Sequence, residues 1–415
     1  MKLGYITFSS KEQQLVHTAI QQMTQGTIDE IGLGRIRDTF SNVMFPGMST
    51  LHRRSKYFVL LPALYNQLAK TPIEDKNIIP SLIRQYEITM TISLLKAVGD
   101  GSDNTGITGS SIGVRELQEG RFVKVTPTSI YLSSLEYFGL VSEGMNINDL
   151  IYQQSINNRN QNPTKRRTKD EIAEDPDGTE TSANHAPYFY PFTGYDFSKE
   201  GQIDLKLTRE EASVLRSHII RKCRTSKGDN LYSFLLSNDE IRIERDFFMM
   251  KDIIDRLPQE QQELKRVYNL AYDFSHWAHL MNTYYRLAFF LKTHNATRVS
   301  ELREHITERL ETGAYPPTAR IAEILDYVKQ SPNFHDTNGV CKFCLEASQL
   351  LGNPDDENRL LSLISNRERS IKRRYYKIGN TQYKNFDFVV NVGYYTYRWN
   401  DIVYSMINDI RNPKP

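Results

Sequence analysis

The chain has 415 residues, 39% hydrophobic and 25% charged, a composition typical of a globular protein with one large core or two smaller ones. Its 52 lysines and arginines nearly balance 50 aspartates and glutamates, so the net charge of +2 creates no overall attraction to nucleic acid or membranes. Three cysteines, no apolar leader and no run of about 20 apolar residues argue against disulfide-rich secreted proteins and membrane proteins, and predict a cytoplasmic location.

The first clear elements are two helices that meet at a corner with arginines on its rim. Apolar residues recur at helical spacing over 34–45, a Pro-Gly pair stops that helix, and Ser49 with Thr50 predicts the N-cap of a second helix. Guanidinium groups and free amides at a helix start both suit a phosphate. The alternative is an ordinary surface with salt bridges such as Arg35 to Asp38. The candidate phosphate contacts are Arg35, Arg37, Arg53, Arg54 and Lys56.

A glycine-rich loop follows a predicted helix at 78–98. Thr105 stands where a calcium-binding loop needs glycine, and Ile107 with Thr108 stands where a phosphate-binding loop has lysine followed by serine or threonine. We therefore interpret the loop as a flexible connection. Short strands are predicted at 2–7 and 121–125, and the Thr-Pro pair at 126–127 predicts the start of another helix.

Composition divides the chain into three regions. Residues 1–155 form an N-terminal helical region that contains the arginine corner. Residues 156–187 are rich in asparagine and charge, with a basic run before an acidic run, which favours a flexible insert over a nucleic-acid-binding arm. Residues 188–415 form a C-terminal helical region, in which Thr208 and Glu211 have the spacing of a capping box.

The strongest helical pattern in the chain follows Pro258. Apolar residues alternate there at spacings of three and four as far as Ala288, which predicts one long helix on the order of 50 Å. Such a helix can be the central support against which shorter helices pack.

Two groups of residues have part of the spacing of a metal site. Asp273, His276 and His279 follow one another at steps of three on the long helix, but no third strong ligand stands nearby. Cys341 and Cys344 form a C-x-x-C without a second ligand pair, so we interpret them as two cysteines on a buried helix face. The sequence therefore predicts no metal and no other cofactor.

The C-terminal segment from residue 359 combines an apolar helical face, extending to 378, with a strongly cationic exposed face. Tyrosines border this predicted helix, and a mixture of aromatic and basic residues is compatible with base stacking or with contacts along a phosphate backbone. An acidic protein surface would suit the same side chains. The candidate contacts are Arg367, Lys372, Arg373, Arg374 and Arg398.

Several stretches of the chain resemble, in order, the landmarks of an uncharacterised bacterial family known only as a domain of unknown function. They are IGLGRIRDTFSNVMFPGMSTLHRRSKYFVLLPAL, the shorter TPTSIYLSSLEYFGL, AYDFSHWAHLMNTYYRLAF, and ISNRERSIKRRYYKIGN with YTYRWN. The resemblance implies a stand-alone protein encoded in defence-like gene neighbourhoods near a superfamily 2 helicase or a phospholipase-D-like nuclease. It carries over no activity. The landmark positions, without assigned roles, are Arg37, Asp38, Phe40, Pro46, Gly47, Ser49, Thr50, Arg367, Glu368, Lys372 and Arg398.

The overall prediction is a mainly α-helical protein with a few short strands and one long central helix. We expect a non-enzymatic accessory subunit of a bacterial antiviral defence system. This subunit would associate with nucleic acid, in the form of DNA, and would work with a helicase or nuclease encoded by a neighbouring gene. One alternative is a scaffold whose arginines meet acidic partner surfaces. Another is an enzyme with an unrecognised site, for which Asp38, Glu368 and Arg37 are the first candidates.

Overall fold

A computed structural model describes residues 29–99, 106–160, 187–224, 228–336, 338–386, 388 and 393–414. This part of the chain is mainly helical. Its α-helices are α1 (Gly34–Met44), α2 (Tyr57–Lys70), α3 (Ile79–Val98), α4 (Val114–Gln118), α5 (Pro127–Tyr137), α6 (Ile147–Asn160), α7 (Arg209–Cys223), α8 (Leu231–Ser237), α9 (Lys251–Asp255), α10 (Gln262–Lys292), α11 (Ala296–Glu311), α12 (Thr318–Lys329), α13 (Val340–Leu350), α14 (Glu357–Lys372) and α15 (Tyr404–Arg411). Short 3₁₀ or π turns occupy Lys76–Ile78, Phe248–Met250, Gln259–Gln261, Pro354–Asp356, Arg373–Tyr375, Thr381–Tyr383 and Trp399–Val403.

No β-strand occurs in the described ranges, where an isolated antiparallel bridge joins Val141 to Phe189. The strand predicted at 121–125 is absent because the backbone N–H of Arg121 bonds back to Glu116 in the turn that follows α4. A strand needs a neighbouring strand as hydrogen-bond partner, and the segment has none among the described residues. The strand predicted at 2–7 lies outside the described residues. None of the described helices combines the length and the apolar character needed to cross a bilayer.

The chain folds into two compact units, each built from separated segments. The first unit comprises Met1–Pro46 and Arg242–Asn400, described from Asp29 onward, and contains α1 and α9 to α14. The second unit comprises Gly47–Ile241 and Asp401–Pro415, and contains α2 to α8 and α15. The boundaries predicted at 155 and 188 both fall within the second unit, and most of the predicted insert between them lies outside the described residues.

The first unit packs around α10, a helix of 31 residues in contact with α1, α11 and α14. Phe40 of α1 shows why α1 belongs to this unit: its ring is buried, stacks on Tyr327 with 5.9 Å between centroids, and lies 6.3 Å from Phe274. Aromatic pairs at such distances add to the burial of apolar area. The helix predicted at 34–45 is confirmed as α1.

The second unit packs around α2, which is buried without a break from Tyr57 to Tyr65 and contacts α3, α5 and α6. The sequence had predicted that this helix is capped at Ser49 and Thr50, but the helix begins at Tyr57. The Ser49 hydroxyl accepts the N–H of Leu51 at 3.2 Å and so closes a local turn instead of capping a helix. The caps predicted at Thr126 before α5 and in the capping box that opens α7 are confirmed, and the capping box predicted at Ser9 and Glu12 lies outside the described residues.

A carboxylic acid is enclosed in the second unit. Glu87 of α3 is buried, and its Oε1 accepts the N–H of Thr128, in the first turn of α5, at 2.6 Å. Burial raises the pKa of Glu87 to about 7, because a carboxylate in apolar surroundings loses its hydration. The native protein therefore holds this proton more tightly than the unfolded chain does.

We expect the free energy of unfolding to fall by about 3 kcal/mol through Glu87 as the pH rises from about 4.5 to above 7, because ionisation favours the unfolded chain. Glu87→Gln should remove this loss, and urea unfolding at about pH 5 and about pH 8 measures it. Glu143→Gln, at a side chain 65% exposed, is the matched control and should leave the loss intact. Parallel pH profiles of wild type and Glu87→Gln would contradict the assignment.

Candidate nucleic-acid interface

The basic residues predicted to contact nucleic acid are divided between the two units. Arg53, Arg54 and Lys56 belong to the second unit. The first unit contains the others, which are Arg35, Arg37, Arg367, Lys372, Arg373, Arg374 and Arg398. Whether each of them can reach an external phosphate depends on its exposure and on the partners that it already has.

The turn at 52–54 in the second unit is held by the buried side chain of Tyr131. The Tyr131 hydroxyl accepts the backbone N–H groups of Arg53 at 2.9 Å and Arg54 at 3.2 Å. The ring of His52 stacks on the Tyr131 ring with 4.5 Å between centroids. The Arg54 guanidinium forms an ion pair with Asp409 at 3.0 Å. Arg53 is exposed and has no ion-pair partner in the described part of the chain, so it remains a candidate contact.

Lys56, in contrast, is directed into the second unit, and its side chain is 2% exposed. Its Nζ donates to Glu211 Oε2 at 2.7 Å and to the carbonyl oxygen of Lys206 at 3.0 Å, and lies 5.3 Å from the centroid of the Tyr195 ring. Burial lowers the pKa of Lys56 from its ordinary value, although the hydrogen bond to Glu211 opposes the shift. An ammonium placed in this way stabilises the fold and is not available to a polyanion.

The two arginines of α1 differ in their partners. Arg35 is exposed and donates to the carbonyl oxygen of His335 at 3.3 Å. Arg37 is half-buried, pairs with Asp38 at 3.0 Å and lies 5.5 Å from the ring centroid of Tyr395. Arg37 and Asp38, two of the candidates for an enzyme site, therefore neutralise each other.

Arg367 and Arg398 are bonded within the first unit. Arg367 is buried and donates to the carbonyl oxygens of Ile31, at 3.0 Å, and of Asn338. Arg398 donates to the side-chain oxygen of Asn42 at 3.0 Å, and burial lowers the pKa of Arg398 to about 10. Each guanidinium therefore already has an acceptor within the first unit.

A group of exposed positive charges in the first unit lies where α14 ends. The Arg374 guanidinium lies 4.8 Å from the ring centroid of Tyr375 and donates to its hydroxyl at 2.6 Å, and Arg369 lies 4.8 Å from the ring centroid of Tyr376. Both are close enough for cation–π attraction. We call this surface the basic–aromatic tip, and its residues are Arg369, Lys372, Arg373, Arg374, Tyr375 and Tyr376.

The tip depends on a reversal of the backbone immediately after α14. The apolar spacing predicted a helix as far as 378, but α14 ends at Lys372 and Arg373 has φ = 52°. A residue with a side chain rarely adopts this conformation, which costs on the order of 1–3 kcal/mol unless the surroundings enforce it. Arg373 and Arg374 are both exposed at this reversal.

Glu368 is the residue that enforces the reversal. Its carboxylate is fully buried and accepts the backbone N–H groups of Lys377 at 2.8 Å and Ile378 at 3.0 Å. It also accepts the hydroxyl of Tyr285, on α10, at 2.7 Å. Glu368, a further candidate for an enzyme site, is thus enclosed and accepts three hydrogen bonds, two of which hold the segment that follows the reversal.

The tip retains most of its positive charge. Glu30, which is 6% exposed, forms ion pairs with both Lys377 and Lys372, the latter at 3.8 Å, so one carboxylate is shared by two ammonium groups. Arg369, Arg373 and Arg374 are exposed and have no ion-pair partner among the residues that the structure describes. Three guanidinium groups therefore remain available to an anion.

Sequence reasoning did not select every residue of this surface. Arg369 was not among the predicted contacts, although it stands in the same basic run. Its guanidinium lies beside the Tyr376 ring, after a reversal at Arg373 that the helical spacing did not predict. The run of basic residues followed by Tyr375 and Tyr376 was the signal that could have identified the whole surface.

The histidines of α10 do not form a metal site with Asp273. Arg309 donates to Nδ1 of His276 at 2.9 Å, and Arg320 pairs with Asp273 at 2.7 Å, so both potential ligands are engaged by guanidinium groups. Burial and the charge of Arg309 lower the pKa of His276 to about 4. His279 stacks on the ring of Tyr394 with 4.0 Å between centroids. The described residues include no group of three or more potential ligands that could hold a metal ion.

The two cysteines of the C-x-x-C motif lie on α13. Cys341 and Cys344 are both buried and carry free thiols, as the sequence predicted. Burial raises the pKa of Cys344 well above its ordinary value, which keeps the thiol protonated and unreactive.

Part of the chain matches the model of a known family. The model of a family of unknown function, DUF6361, matches residues 1–152 of the chain. No curated protein and no solved structure matches this chain. The N-terminal part of this chain is thus similar to an uncharacterised domain.

Proposed function

We propose that this protein binds nucleic acid through the basic–aromatic tip, as a non-enzymatic accessory subunit that assists a helicase or nuclease in antiviral defence. The observation that carries the proposal is the group of three exposed guanidinium groups without carboxylate partners among the described residues, next to two tyrosine rings. The accessory role and the partners are supported by the family resemblance of the sequence stretches described above.

The chemistry of the tip favours the phosphate backbone as its main contact. Phosphate contacts carry no sequence information, and each arginine that binds a phosphate releases a counterion. With Arg369, Arg373 and Arg374 engaged, the logarithm of the binding constant should fall with the logarithm of salt concentration at a slope of about −2 to −3. Weak sequence specificity follows from the same reasoning.

Replacing Arg373 and Arg374 together by alanine should weaken binding of a labelled DNA by about 10- to 100-fold at low salt, and should reduce the salt slope by about 1 to 2. Fluorescence anisotropy at two salt concentrations measures both quantities. The matched control is Arg115→Ala with Arg242→Ala, which removes two charges from side chains that are 93% and 82% exposed.

Two results would overturn the proposal. If the wild-type protein binds neither a duplex nor a single strand at low salt, the protein is not a nucleic-acid-binding protein. If the control pair weakens binding as much as the tip pair does, the contact lies elsewhere. Association with partner proteins that survives nuclease treatment and is lost in the tip variant would favour the alternative, in which the guanidinium groups meet acidic protein surfaces.

A further inference from the structure

Tyr375 is an unusual residue for a surface that binds phosphates alone. Its side chain is 57% exposed, whereas phosphate recognition needs charge and hydrogen-bond donors but no aromatic ring. Arg374 covers part of the ring, and the hydrogen bond to the Tyr375 hydroxyl fixes the two side chains relative to each other. The pair therefore presents an exposed aromatic ring with a cationic group beside it.

A second exposed ring follows in the same segment of the first unit. Phe386 is 41% exposed, and the ammonium of Lys377 lies 4.9 Å from its ring centroid. The chain from Arg369 to Phe386 thus combines aromatic rings with cations repeatedly. This combination is typical of proteins that bind unpaired nucleic acid, because every base has a π-face on which an aromatic ring can stack.

We infer that the tip takes single-stranded nucleic acid in preference to a duplex, with an unpaired base stacked on the Arg374–Tyr375 pair. The inference rests on the proposed function and names its substrate class. In a duplex the base faces are covered by neighbouring bases, so the exposed rings would contribute nothing. In a single strand an arginine can bind a phosphate while the adjacent ring stacks on a base.

The test is a titration of the full-length protein with an oligothymidylate and with a duplex of the same length, at the same low salt concentration. Tyr375→Ala should weaken binding of the single strand about tenfold and leave duplex binding nearly unchanged. Tyr375→Leu, which keeps an apolar side chain but no ring, should behave like Tyr375→Ala. Tyr375→Phe should retain most of the affinity because the stacking face is preserved.

Tyr137→Ala is the matched control, since Tyr137 is a surface tyrosine of the second unit with 36% exposure. The stacking inference would be overturned if the wild-type protein bound both ligands equally and Tyr375→Ala changed neither affinity. If Arg373→Ala with Arg374→Ala still weakened the binding of both ligands, the proposed function would stand. Absence of binding to either ligand would overturn both. Circular dichroism confirms that each exposed variant is folded before its binding is compared.

Discussion

Replacing Lys56 by methionine should lower the free energy of unfolding by about 3–5 kcal/mol, which is a large part of the stability of a typical domain. The reason is that Glu211, whose side chain is 10% exposed, would keep its charge and lose the ammonium 2.7 Å away. Burying a charge without a partner costs far more than the attraction of a solvated pair contributes. Urea unfolding followed by circular dichroism measures the change.

A second substitution tests whether the loss comes from the unpaired charge. Glu211→Gln added to Lys56→Met should recover a substantial part of the stability, because the amide is neutral and its oxygen can still accept the N–H of Thr208. Lys96→Met is the matched control: Lys96 pairs with Glu200 at 2.5 Å but is 42% exposed. Lys96→Met should lower the free energy of unfolding by only about 0–1 kcal/mol. Equal losses at Lys56 and Lys96 would contradict the assignment.

Replacing Glu368 by alanine should lower the free energy of unfolding by about 3–5 kcal/mol and should also weaken nucleic-acid binding. The change leaves the buried N–H groups of Lys377 and Ile378 and the hydroxyl of Tyr285 without their acceptor. Each buried polar group without a partner costs about 1–3 kcal/mol. The carboxylate also holds the reversal at Arg373, so the exposed arginines would lose their fixed arrangement.

Tyr285→Phe separates the two effects of the Glu368 carboxylate. It removes one donor and leaves both backbone bonds of the reversal, so it should cost about 0.5–1.5 kcal/mol and leave nucleic-acid binding unchanged. Glu368→Gln should weaken binding under conditions in which it is fully folded, although every positive charge of the tip is retained. If folded Glu368→Gln binds nucleic acid like the wild type, Glu368 has a structural role but does not position the tip.

The basic residues selected from the sequence divide into structural and exposed ones for a simple reason. Helical spacing assigns a residue to a face of its own helix but does not say which distant segment covers that face. Lys56 is covered by the segment that leads to Glu211, and Arg367 is bonded to Ile31, 336 positions away in the chain. Charge alone therefore selected Lys56 and Arg367 together with Arg373 and Arg374, although only the second pair is exposed.

The sequence by itself determined the local elements: the mainly helical fold, α1, the caps before α5 and α7, and the buried cysteines of α13. These depend on apolar spacing and capping groups within a few residues, so the sequence shows them directly. The tertiary structure alone decided where α14 ends and which cations remain exposed. Both depend on contacts between distant segments, since the carboxylate of Glu368 and the hydroxyl of Tyr285 meet across 83 positions of the chain.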